Sequence, residues 1–165
     1  MPNPVHIRRA GPDDTNTITL FNTAMALETE DRRLNQATVR DGVRALLRQP
    51  QYGFYIIAEQ PGSKEPQPIG QLMITFEWSD WRNGVFWWIQ SVYVIPEQRG
   101  RGVYQTMHRY ITDEAKNDPS ICGIRLYVAR ENERAHAAYR RVGLLPSNYA
   151  MYEQDFVLGT QPVKL

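Results

Sequence analysis

The stretch Val92-Tyr93-Val94-Ile95-Pro96-Glu97-Gln98-Arg99-Gly100-Arg101-Gly102-Val103-Tyr104 decides how this chain folds. It closes the most strand-like run in the sequence, Phe86 to Ile95 (FWWIQSVYVI), passes through a glycine-rich turn and opens a helix. A buried strand, a tight turn and a helix start together have the layout of an anion site, and equally that of a solvated turn with two surface arginines. The first amides of a helix lack carbonyl partners and carry the positive end of its dipole, and glycine lets a phosphate approach the main chain. Arg99 and Arg101 add positive charge. No Gly-Lys-Ser/Thr follows, so this is not a P-loop, and the third glycine of the dinucleotide fingerprint is absent.

On the amino-terminal side, Val5 to Arg9 is predicted as a first strand, and Gly11-Pro12-Asp13-Asp14 as a turn that starts a helix over roughly 14–28. Leu34-Asn35 opens a second helix, in which Val39, Val43, Leu46 and Leu47 recur at helical spacing until Pro50. Gly53 to Glu59 and Ile69 to Phe76 form a hairpin around the turn-rich segment 60–66. Beyond the glycine turn, the pattern predicts a helix to about Lys116, a strand over Ile124 to Val128, a helix over Glu133 to Val142 and a last strand over Tyr149 to Phe156. The order implies one α/β domain over 1–165, with a mixed sheet, crossovers in its later half and a loose tail at 156–165.

Composition narrows the function. Nineteen Lys and Arg against 18 Asp and Glu give a net charge of +1, which argues against a general nucleic-acid surface. The single cysteine, Cys122, cannot form an intrachain disulfide, and its apolar neighbours predict a buried, inert thiol. No apolar run is long enough for a membrane span or a secretory leader, so a reducing, cytoplasmic setting is expected, with no membrane partner. His6, His108 and His136 lack ligand spacing, and no metal is expected. Oligomeric state is left open, a homodimer included.

The glycine turn resembles the acetyl-CoA loop of the GNAT superfamily of N-acetyltransferases, with signature Gln/Arg-x-x-Gly-x-Gly/Ala. Arg99, Gly102 and Tyr104 stand at its three defined places, Tyr104 being a departure whose ring must turn away from a pyrophosphate. The second hallmark, Asn-x-x-Ala followed by Tyr and then Gly-Phe, is matched by Asn132, Ala135, Tyr139, Gly143 and Leu144. The resemblance implies a mostly antiparallel central sheet flanked by helices, whose fourth and fifth strands splay at a bulge. It implies acetyl-CoA as cosubstrate, with the pantetheine arm along Val92, Tyr93 and Val94. The pyrophosphate would lie on Gly100, Arg101, Gly102, Val103, Tyr104 and Gln105, with Arg99 beside it. Asn132 is implied as a cofactor contact and is equally a plain helix N-cap; the two roles can coexist.

The implied reaction is acetyl transfer to a primary amine, with Tyr139 as the acid that protonates the leaving thiolate and a backbone N–H near Val92 holding the oxyanion. At the two strand positions where this family often carries a glutamate base, the sequence has Gln90 and Tyr127, neither of which accepts a proton at neutral pH. The acceptor pocket is expected from Glu28, Glu30, Glu77 and Trp78, acid and indole groups suited to a small cationic amine. Acetylation of a peptide amino terminus and non-catalytic acyl-CoA sensing are the alternatives.

Overall fold

A computed structural model describes residues 5–62 and 65–159; the expectations for Ser63-Lys64 in the hairpin tip and for 160–165 of the tail fall outside them. The elements are β1 (His6–Arg9), α1 (Thr15–Glu30), α2 (Gln36–Arg48), β2 (Gly53–Gln60), β3 (Gln67–Ser79), β4 (Gly84–Val94), α3 (Val103–Asn117), β5 (Ile121–Arg125) and α4 (Glu133–Arg141). They build one sheet in the order β1-β2-β3-β4-β5. The first four strands pair antiparallel, and β5 runs parallel to β4 after the α3 crossover.

Strand alternation gives the sheet two apolar faces. On one, Ile74 opposes Ile89, and α3 covers them and Trp87 with Val103, Met107, Ile111 and Ala115, four residues apart and all buried. On the other, Tyr55 and Ile57 pack against Ile18 of α1 and Val43 of α2. Burying an Ile or Met of this kind stabilises by about 1.5–3 kcal/mol. Asn35 caps α2 by accepting the Thr38 N–H at 3.0 Å.

The turn from β1 into α1 is held by charge rather than by apolar packing. Arg8 donates to both oxygens of Asp14, at 2.7 and 2.8 Å, and through Nε to Glu59 at 2.8 Å. Burial alone would raise the Asp14 carboxyl, but the Arg8 and Gly11 hydrogen bonds overcome it and hold the group below its ordinary value.

Two expectations are corrected. The fifth strand lies at Ile121–Arg125 instead of Ile124–Val128, because β5 pairs with Val85 to Trp88 and leaves the sheet where β4 turns away. The strand expected over Tyr149 to Phe156 does not form, so there is one crossover rather than two. Alternating apolar residues make a strand only when a neighbour pairs with them. Here Ser147 takes the Tyr149 N–H and Asp155 takes those of Val157 and Leu158, side-chain turns that compete with a ladder. Among the described residues, no helix is long and apolar enough to cross a membrane.

A carboxyl whose folded value is depressed stabilises above its unfolded value, and that contribution is lost as pH falls through the folded one. Asp14→Asn should therefore lower Tm at neutral pH and flatten its fall between about pH 5 and 3. Parallel slopes in calorimetric scans of parent and variant would show that the Arg8–Asp14 pair does not carry acid sensitivity.

Candidate active site

The site begins where β4 acquires one residue too many. Gln90 pairs with Met73 and Tyr93 with Gln71, so Ser91 and Val92 together face the single residue Leu72. Ser91 has a φ of 49°, left-handed backbone that an L-residue adopts at a cost of about 1–2 kcal/mol. On the other side of β4, the pairing with β5 ends at Trp88 and Arg125. Beyond that pair the two parallel strands separate.

The glycine turn lies just past the end of β4. Gly100 and Gly102 have φ of 76° and 82°, and a Cβ built on Gly100 would meet nothing within 4 Å, so the main chain there is open to a ligand. Gly102 is the N-cap of α3 and supplies no side chain to it; the first intrahelical bond there runs from the Thr106 N–H to the Gly102 carbonyl at 3.0 Å. The amides of Val103, Tyr104 and Gln105 therefore precede the helical ladder and suit phosphate oxygens. Arg101 is exposed beside them.

Arg99 does something other than add charge to this cradle. Its Nε donates to the Val94 carbonyl at 2.7 Å and its Nη2 to Glu28 of α1 at 2.6 Å, so it ties the turn to the end of β4 and to α1. The Tyr93 hydroxyl also donates to Glu28, at 3.3 Å, and the Tyr93 ring is buried against Phe21. Val92 and Val94 pack on the α3 face.

Tyr104 turns its ring inward, as its place in the loop requires. The ring meets Tyr139 of α4 edge-on at 5.5 Å between centroids and His108 at 5.9 Å. Its hydroxyl is buried without a hydrogen-bond partner, and so is His108 Nε2. Burial, with a smaller contribution from Tyr139, raises the Tyr104 phenol well above its ordinary value. Burial also raises Tyr139 and lowers His108. Tyr139 thus keeps its proton beyond the ordinary phenol range, as a donor must. Asn132 caps α4, accepting the Ala135 N–H at 3.1 Å.

A cavity of about 360 Å³ opens beside the last β4–β5 pair, lined by Thr75, Phe76, Glu77, Trp88, Gln90, Tyr127 and Met151. Gln90 donates to Thr75 at 2.6 Å, and the Trp88 and Tyr127 rings lie 6.1 Å apart. Glu77 accepts from Arg125 at 2.6 Å and from the Trp88 indole. Of the four residues expected to form an acceptor pocket, only Glu77 lines this cavity. Glu28 is held by Arg99, Glu30 lies 3.8 Å from Arg32, and Trp78 follows Glu77 in the strand and so points to the opposite face, 61% exposed. Trp88, Arg125 and Met151 escaped the sequence reading, because the β3–β4 pairing brings Trp88 beside Thr75 and Glu77, the β4–β5 pairing brings Arg125, and the chain after α4 brings Met151. Strand alternation from Gln90 was the signal that could have found Trp88. A second depression of about 320 Å³, between the start of α1 and the end of α2, shares no residue with either feature. Among the described residues, no group of three or more His, Cys, Asp or Glu could hold a metal.

An unpaired buried hydroxyl destabilises a fold. Tyr104→Phe should accordingly leave stability unchanged or raise it, by about 1 kcal/mol. A urea midpoint lowered by the substitution would mean that the hydroxyl has a partner in solution.

The sequence pattern of the acetyltransferase (GNAT) family matches residues 19–144. Among solved structures, a possible acetyltransferase from Clostridium difficile 630 is 40% identical over 93% of this chain and 98% of that one, with a TM-score of 0.84. A predicted acetyltransferase from Clostridium acetobutylicum, solved with acetyl-CoA, is 18% identical over 92% of this chain and 96% of that one, TM-score 0.73. The ribosomal-protein-alanine N-acetyltransferase from Brucella melitensis biovar Abortus 2308 is 16% identical over 93% and 99%, TM-score 0.72. The last two share the fold. No curated protein matches the chain.

Proposed function

The chain belongs to the GNAT family of acetyltransferases, and on that footing we propose that it moves an acetyl group from acetyl-CoA to a primary amine. One observation carries the reading: β4 bulges and loses β5 just before the uncapped start of α3, against whose Tyr104 the Tyr139 ring packs. Acetyl-CoA supplies an activated acyl group on a thiol that leaves. The pyrophosphate fits the amides of Val103 to Gln105 beside Gly100, Arg101 and Gly102, and the pantetheine arm fits the β4 edge along Val92 to Val94, which β5 has vacated. Arg99 holds the turn in place. Tyr139 donates a proton to the leaving sulfur, and the Val92 N–H stabilises charge on the acyl oxygen.

The acceptor enters through the cavity around Trp88 and Tyr127. These two aromatic rings and the Glu77 carboxylate support a small cationic amine, since a ring face attracts a cation by about 0.5–2 kcal/mol. Arg125 already offsets the Glu77 charge, which disfavours a polycation. The exposed rims at Tyr127 and Met151 also leave room for the amino end of a peptide. Working cytoplasmically without a metal or membrane partner is consistent with this chemistry.

Acetyl-CoA at a hundred times its Kd should stabilise the parent by about 2.7 kcal/mol, read as a rise in Tm; no rise at millimolar concentration would sink the assignment. Tyr139→Phe should lower kcat by about tenfold or more while leaving that Tm rise intact. Normal turnover in this variant would reduce Tyr139 to a packing residue.

The pH dependence follows from the protonation states. A lysine-like amine is about one part in a thousand neutral at pH 7.4, and Gln90 and Tyr127 provide no base. Solvent sets the neutral fraction, so kcat/KM for a simple primary amine should climb about tenfold per pH unit from about 7 to 9. Burial holds Tyr139 protonated, so the descending limb should begin above the ordinary phenol value rather than at it. A plateau already reached by about pH 7 and lost in Glu77→Gln would identify Glu77 as a general base.

A further inference from the structure

Gln71 is fully buried in the middle of β3, between Gly70 and Leu72, and its Oε1 has no hydrogen-bond partner. Its Nε2 donates to Asn22 Oδ1 of α1 at 2.6 Å and to the Ser91 carbonyl at 3.3 Å. Asn22 in turn donates to the Tyr55 hydroxyl at 3.2 Å. Side chains of α1, β2 and β3 are thus linked, and Gln71 joins the linkage to the one residue of β4 with left-handed backbone.

Such a network is a poor way to stabilise a core. A buried amide with an unsatisfied oxygen is inferior to a methionine or leucine of similar size. Its geometry points to another role. The Ser91 carbonyl and the Val92 N–H belong to one planar trans peptide, in which they point in opposite directions. Fixing the carbonyl on Gln71 therefore aims the Val92 N–H away from Gln71, and a hydrogen bond to that carbonyl polarises the same N–H as a donor.

We propose that Gln71 is a positioning residue: held by Asn22, it fixes the bulge so that the Val92 N–H meets the carbonyl oxygen of the acyl thioester. The inference rests on the acetyl-CoA reading above. It predicts that Gln71 matters to the acyl carbonyl and to turnover, and not to the nucleotide end of the cosubstrate.

The test uses the full chain and Gln71→Met, with Asn22→Ala as the second variant in case the first does not fold. Three quantities are measured: the Kd of CoA by calorimetry, kcat, and the 13C shift of [1-13C]acetyl-CoA on binding in the absence of acceptor. The expected result is a carbonyl displaced downfield in the parent and less displaced in Gln71→Met. With it come a kcat lower by about tenfold or more and a CoA Kd within about twofold of the parent. Asn22→Ala should move the same way by less. An unchanged carbonyl shift, or a CoA Kd weakened in step with kcat, would overturn the proposal and make Gln71 merely structural. If the parent itself does not bind acetyl-CoA, the functional assignment fails instead, which is a separate outcome.

Discussion

A strand that carries two residues opposite one cannot stay in register with both of its neighbours. β4 meets β3 along nearly its whole length, and the extra residue at Ser91 and Val92 bends it there. β5 follows β4 only to Trp88. The wedge between the two strands gives access to a β4 edge that would otherwise be paired, sets the start of α3 at its rim and lets α4 bring Tyr139 against the first turn of α3. The sheet carrying that wedge is packed on both faces, by α3 on one and by α1 with α2 on the other.

The cradle and the bulge are joined through α1. Glu28 meets Arg99 and Tyr93, while Asn22, six residues earlier, meets Gln71 and Tyr55. One helix thus touches the glycine turn directly and reaches the backbone of the bulge through Gln71. Charged and amide groups do this because each offers a directional bond to a main-chain or side-chain atom, which apolar contact cannot.

Much of the fold was legible because periodicity is local. Val103, Met107, Ile111 and Ala115 announce an amphipathic α3, and the run from Phe86 to Ile95 announces β4. The turn into α3 was legible for the same reason: Gly100, Gly102 and the helix start are neighbours in sequence. Gln71 was not, since a glutamine in a strand carries no sign of its partners until α1 is packed against it. Glu28 and Glu77 looked like free carboxylates because Arg99 and Arg125 lie 71 and 48 residues away. Tyr149 to Phe156 misled in the opposite sense, with a strand's alternation and no strand hydrogen-bonded alongside it.

That unpaired segment has a colloidal side. Tyr149, Tyr152 and Phe156 are 82%, 94% and 87% exposed, and Val157 and Leu158 continue the apolar surface. The chain's isoelectric point is about 7.9 and its net charge +1, so at neutral pH almost no long-range repulsion keeps two molecules apart. Sticky surface and missing repulsion coincide, and salt, which shields charge, has little left to remove. At neutral to mildly basic pH the chain therefore lies close to its isoelectric point, where repulsion between copies is weakest.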